Sequence, residues 1–249
     1  MMPELTPRIL SHFAFFRFND AYFAIPARER REFHATWLAG LHQAAGSQEG
    51  ASHMDVYQIY PAQAGADVLV WSSLSVGDQP QGEDAPAGYH ERLAAAGFFT
   101  RFARATNPYR HLVEAAHILW GFTKPSQYTK TRSTQEIDPF AAERKPYLII
   151  YPFVKTVEWY LMSREARQGM MNEHIKIGKQ YPEITQLLLY SFGLQDQEFI
   201  VVYETEDLGH FSDLVYELRD SEARRYTQRD APLFTAVYHP AEETLALWA

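Results

Sequence analysis

S-R-E-A-R-Q-G-M-M-N-E-H-I-K-I-G-K-Q-Y, residues 163–181, reads as one helix around which the second half of the chain is arranged. Ser163 is placed to cap it, its hydroxyl accepting from a first-turn N–H, and Glu165 suits the positive end. Met170, Met171, His174, Ile177, Gly178 and Tyr181 recur at spacings of three and four and share one stripe. Asn172, Lys176 and Lys179 fall away from it as a solvated face. Gly178 removes a side chain one turn past His174, which leaves room for something broad. Met171 beside the imidazole offers a soft, adaptable wall and is a candidate cofactor contact. Two readings are open: a core helix with a satisfied histidine, or a helix that presents an imidazole to a flat ligand.

Working outward, this helix follows a strand at 147–153 and precedes two strands, at 184–191 and 198–204. A helix at 207–219 and a last strand at 233–238 complete the run. The first half shows the same order. Residues 12–18, H-F-A-F-F-R-F, alternate as an aromatic-rich strand. Pro26 opens a helix through Ala45 with Phe33, Trp37, Leu38 and Leu41 on one face, and Gly46 ends it. Strands follow at 54–60 and 66–74, then a helix at 93–103 and a long strand at 110–123 carrying His111 and His117. Two βαββαβ runs predict an α+β protein of duplicated ferredoxin-like units, of the dimeric α+β barrel type. Each antiparallel sheet has helices on one face, so its other face needs a partner or closure into a barrel. The expected organisation is a first unit at 1–124, a connecting loop at 125–146 and a second unit at 147–249. Residues 77–88 read as an acidic, Pro/Gly-rich surface loop.

Composition narrows the function. With 46% hydrophobic and 14% aromatic residues the chain has ample core material. Its net charge of −8, without a dense basic run, argues against a nucleic-acid footprint. The absence of cysteine excludes disulfides, thiolate catalysis and cysteine-held clusters. No secretory signal and no stretch of the length a membrane span needs are visible, so the expected location is cytoplasmic.

The second half resembles the chlorite dismutase and coproheme decarboxylase family of haem enzymes. The resemblance lies in Y-P-F-V-K (151–155), W-Y-L-M (159–162), M-M-N-E-H-I-K-I-G-K-Q-Y (170–181), Y-S-F-G-L-Q-D-Q-E-F (190–199) and E-L-R-D-S-E-A-R-R-Y (217–226). It implies a haem cofactor (ferric coproheme or haem b), a porphyrin substrate, hydrogen peroxide as co-substrate and a homopentameric ring. His174 takes the place of the proximal iron ligand, which a neutral imidazole on a rigid helix suits. Such a histidine normally donates its other ring N–H to an acceptor, and Glu222 is the candidate. Tyr151 matches the catalytic tyrosine of the decarboxylase branch. There, the resemblance implies, peroxide oxidises the haem, the tyrosine is oxidised in turn, and it removes hydrogen from a propionate that leaves as carbon dioxide and a vinyl group. Lys155, at i+4 from Tyr151, is placed to pair with a propionate. Trp159 matches a tryptophan at the haem edge, and Arg219 an arginine that contacts propionates.

The opposite side of the haem separates the branches. Chlorite dismutases have an arginine before the glycine corresponding to Gly193, whereas residues 181–193 hold neither arginine nor lysine. Counting back from Gly193 puts Gln186 at that position; counting forward from His174 puts Leu187 there. Glutamine orients peroxide by hydrogen bonding, and leucine forms an apolar roof. The decarboxylase pattern also has a loop arginine upstream of the tyrosine. Glu136 or Ile137 falls near that place here, with Arg132 as the nearby substitute. The expected activity is peroxide-dependent coproheme decarboxylation. A general haem peroxidase, a chlorite dismutase-like enzyme or a non-catalytic haem binder are the alternatives.

Overall fold

A computed structural model describes residues 8–46, 52–76, 94–128 and 133–249; the acidic loop at 77–88 and Arg132 lie outside them. The chain divides into two compact units. One holds the described residues up to Thr123 with 139–142 and 238–249; the other holds the described residues of 124–138 and 143–237.

In the first unit β1 (Arg8–Phe18) leads through α1 (Asp20–Ala24) to α2 (Ala27–Ala45), then β2 (Ser52–Gln58), β3 (Val68–Val76), α3 (Ala94–Thr106) and β4 (Val113–Thr123). β1 pairs antiparallel with both β3 and β4, and β2 pairs with β3, giving the order β4-β1-β3-β2. Strand alternation turns Leu10, Ala14, Phe16 and Phe18 of β1 toward the helices, where they meet Phe33, Trp37, Leu38 and Leu41 of α2 and Phe98 and Phe102 of α3. Gly46 stops α2 with φ +105°, a backbone region that favours glycine, and its N–H bonds His42 O at 3.1 Å. The last residues, expected with the second unit, belong to the first. Thr244 of α7, which runs Ala241–Ala246, donates to Val56 O at 3.3 Å, and Tyr22 Oη donates to Trp248 O at 2.6 Å.

The second unit runs β5 (Tyr147–Lys155), α4 (Val157–Leu161), α5 (Arg164–Gly178), β6 (Thr185–Tyr190), β7 (Phe199–Thr205), α6 (Leu208–Arg219), β8 (Thr227–Arg229) and β9 (Phe234–Tyr238). β5 lies between β7 and β9, and β6 joins β7, so the order is β6-β7-β5-β9. Counted by position within each unit, both sheets read fourth, first, third, second. This is the duplicated ferredoxin-like architecture. The short elements α1, α4, β8 and α7 escaped the periodicity because none spans enough residues to show a face. Among the described residues no helix is long and apolar enough to cross a membrane.

Candidate functional site

Register decides which side chains of the second unit look at its helices. Ile149 of β5 and Val201 and Tyr203 of β7 pack with Phe211 and Leu214 of α6, and Ile177 at the end of α5 packs against them. The odd-numbered residues of β5 up to the irregularity at Val154, namely Tyr147, Tyr151 and Phe153 with Ile149, therefore face the helices. On β6, Gln186 stands opposite Tyr203, and Leu188 opposite Val201, so both share that face. Leu187 stands opposite Val202 and is buried on the other side. The expectation that Leu187 contacts the cofactor is therefore corrected: a strand alternates, and 186 and 187 cannot both face the helices. Neighbouring segments pin Gln186. Its N–H donates to Gln135 O at 2.7 Å, and its carbonyl accepts from Ile137 N at 3.0 Å.

α5 forms where expected, with Ser163 Oγ accepting from Ala166 N at 3.2 Å. Its far end is clamped by Gln135, whose side-chain amide reaches the carbonyls of Gly178, Tyr181 and Ile184 at 3.3, 2.9 and 3.1 Å. No residue between these ends is fully buried. Arg167, Met170, Met171, His174 and Gly178 are half-buried on the sheet-facing stripe. A Cβ built at Gly178 would meet nothing within 4 Å. No hydrogen bond joins the His174 ring to any described residue. Burial, helped by the Lys155 cation and opposed by Glu173, lowers its pKa to about 4, so the imidazole is neutral at physiological pH and free to ligate.

Tyr151 stacks on Tyr203, ring centroids 6.2 Å apart. Burial pushes its phenol above the usual value; the Tyr203 hydroxyl opposes this, as do Arg219 and Arg224, while Asp230 adds to it. Lys155 Nζ donates to Thr227 Oγ1 at 3.1 Å and Ala223 O at 3.3 Å and lies 4.6 Å over the Trp159 ring. Burial first, and the Arg224 cation second, bring its pKa down to about 8. Trp159 is buried against Tyr226, with ring centroids 6.0 Å apart. Arg219 bonds Asp230, and Arg224 Nη1 lies 3.3 Å from the same carboxylate.

Glu222 does not support His174. Its carboxylate pairs with Arg225 at 3.4 Å, and its backbone N–H donates to Glu173 Oε2 at 3.0 Å. A turn of 3-10 helix at Glu222–Tyr226 directs that side chain outward, a direction that helix-end periodicity could not show. Sequence reasoning missed Tyr203, Arg224, Asp230 and Gln135. Arg224 alone had a signal, its place in the E-L-R-D-S-E-A-R-R-Y run.

These residues fit a haem. An unpartnered neutral imidazole projects from a helix that buries nothing fully, opposite a wall of half-buried Tyr151, Phe153, Tyr190 and Phe199. Among the described residues no three His, Cys, Asp or Glu side chains gather as a metal site, and His174 stands as a single imidazole.

The chlorite dismutase family model matches residues 91–239. A coproheme decarboxylase of Mycolicibacterium smegmatis is 28% identical over 193 residues, 77% of this chain and 75% of that protein. Another, of Staphylococcus saprophyticus, is 30% identical over 169 residues, 65% and 64% of the two chains. A crystal structure of a doubly substituted chlorite dismutase from Candidatus Nitrospira defluvii superposes with a TM-score of 0.79, covering 97% of this chain and 95% of that one at 22% identity. Together with the duplicated fold, the family match over more than half its length places this chain in the chlorite dismutase family.

Proposed function

We propose that this protein is a haem-dependent, peroxide-consuming coproheme decarboxylase. One observation carries the reading: the Tyr151 phenol and the Gln186 amide share the sheet face that looks toward the His174 helix, the charges of Arg219 and Arg224 bear on Tyr151, and Lys155 closes the same strand four residues on. Enzymes of this family depend on haem, and the curated relatives above are named coproheme decarboxylases.

His174 would hold the iron, Met171 and the aromatic wall would flank the ring, and the cations would meet its propionates. When bound, the haem supplies reduction of peroxide and the oxidising power that the reaction needs. The balance for each side chain is propionate plus hydrogen peroxide plus one proton giving vinyl, carbon dioxide and two waters. Tyr151 is the group that moves hydrogen. Its raised pKa keeps Oη protonated, so it loses a proton and an electron together and then takes a hydrogen from the propionate carbon, which restores the phenol. The carbon radical left behind gives up one more electron, the second that peroxide can accept, as its bond to the carboxylate breaks and carbon dioxide leaves a vinyl group. Gln186 donates to and accepts from peroxide without adding charge. Its neutrality supports the decarboxylase over the chlorite reading, because an anionic chlorine oxide finds no cation at that position.

The test is to load ferric coproporphyrin, add peroxide and follow the porphyrin by mass. Stepwise loss of two carboxyl groups is expected. Tight binding followed only by bleaching would sink the proposal.

A further inference from the structure

The cations around the Lys155 end of β5 are not equally occupied. Arg219 makes a short hydrogen bond to Asp230. Lys155 Nζ has Thr227 Oγ1 and Ala223 O as acceptors. Arg224 Nη1 is buried, touches Asp230 only as an ion pair at 3.3 Å, and makes no hydrogen bond. Two carboxylates serve these three cations. One of them, Glu198, already accepts from the Lys155 N–H at 2.8 Å and from the Tyr160 hydroxyl. A guanidinium offers a planar fork of donors matched to a carboxylate, so an unused buried nitrogen on that fork marks a position for one more anion.

The position is specific. Arg224 lies in the Glu222–Tyr226 turn that leads directly into β8, and β8 pairs Thr227 with Lys155 at the end of β5. This brings the guanidinium to the Lys155 end of β5, and its charge bears on both Lys155 and Tyr151, the latter at the middle of the same strand.

We propose that Arg224 holds the substrate carboxylate that the reaction removes, and so distinguishes the four-carboxylate porphyrin from its two-carboxylate product. The inference rests on the functional reading above. A carboxylate held beside Tyr151 is within the reach of the group that attacks its side chain. Once that carboxylate has left, Arg224 has nothing to hold, and the product is released from this contact.

The experiment compares equilibrium binding of ferric coproporphyrin III and ferric protoporphyrin IX by Soret titration, without peroxide. Arg224→Met is expected to weaken the tetracarboxylate by about tenfold or more, the worth of one charge-assisted hydrogen bond, and the dicarboxylate by less than about threefold. Asp230→Asn frees both arginines and is expected to tighten the tetracarboxylate. An equal effect of Arg224→Met on both ligands, or no effect on either, overturns the proposal. If Arg224→Met does not fold, Asp230→Asn decides, and unchanged or weaker tetracarboxylate binding then counts against it. Wild-type protein that binds neither porphyrin would overturn the functional reading and this inference with it.

Discussion

The two halves of this chain share one topology and differ in what fills the space between sheet and helices. In the first unit α2 buries Phe33, His34, Trp37, Leu38, Leu41, Ala44 and Ala45, and the cluster around them runs from β1 to α3. In the second unit α5, in the corresponding place, buries nothing fully. Among the described residues the helix-side cluster of Ile149, Ile184, Val201, Tyr203, Phe211 and Leu214 lies toward α6 and meets α5 at Ile177, near its end. Each large apolar side chain fully buried stabilises by roughly 1.5–3 kcal/mol. The second unit forgoes several such contributions along α5, although its strands pair as regularly as those of the first. Protein interiors close-pack. A regular fold with an unpacked helix face is therefore a fold that leaves room for a ligand.

The largest effect expected from this contrast lies on the open unit's sheet. Tyr151→Phe removes one hydroxyl and should bring vinyl product to background while porphyrin binding changes by no more than ~1 kcal/mol. Mass analysis of the product together with a Soret titration checks both halves. Normal turnover in the Phe variant would remove Tyr151 from the chemistry.

On the helix side, His174→Ala should weaken ferric-porphyrin binding by more than about 100-fold, since losing even an outer partner of a metal ligand costs about 10–100-fold. An unchanged Soret band and affinity would mean that the histidine is ordinary core, the plainer of the two readings its stripe allowed.

How much of this was visible beforehand follows from the kind of regularity involved. The repeated βαββαβ order was legible because hydrophobic periods of two and about 3.6 persist through every long element. His174 and Tyr151 were legible as motif positions within such elements. The choice between Gln186 and Leu187 was not, because it depends on cross-strand register, here the pairing of Gln186 with Tyr203. Arg224 and Asp230 were harder still: they come from a turn and from the segment after β8, and the pairing of β8 with β5 brings them to the Lys155 end of the strand. Glu222 misled because one step in a tight turn redirects a side chain. The C-terminal residues misled because chain order does not say which unit a tail packs on.

The contrast also predicts where ligand changes the motions of the protein. Porphyrin at 100 times its dissociation constant should stabilise the folded state by about 2.7 kcal/mol. Hydrogen exchange should show the new protection concentrated in α5, with α2, already packed, little changed beyond the global effect. Equal protection of the two helices would show that α5 is not an open face completed by ligand.

The last prediction sets His12, buried in the closed unit, against His174, half-buried in the open one. His12 in the closed unit is 2% exposed, ringed by Phe98, Phe99 and Phe102 at centroid distances of 5.1, 5.9 and 4.8 Å, with Nδ1 unpartnered. Burial takes its pKa to about 3. His174 in the open unit is also neutral and without a hydrogen bond, yet it lies on a face with room for a ligand. His12 has no such outlet, so its lowered pKa acts only on stability. Between pH 6.5 and about 3 the unfolded chain binds a proton at this residue that the folded chain does not. Stability contributed by neutral His12 is therefore complete above pH 6.5 and is lost as pH falls through that window, by about 2 kcal/mol at pH 5. Replacing it with Phe removes the titration, so denaturant unfolding at pH 7.5 and pH 5 should show a shallower acid loss in His12→Phe than in wild type. A ring NMR signal for His12 that titrates near 6.5, or identical pH slopes for the two proteins, would show that the first unit is not closed around this residue. The contrast between a filled and an open copy of the fold would then fail from its filled side.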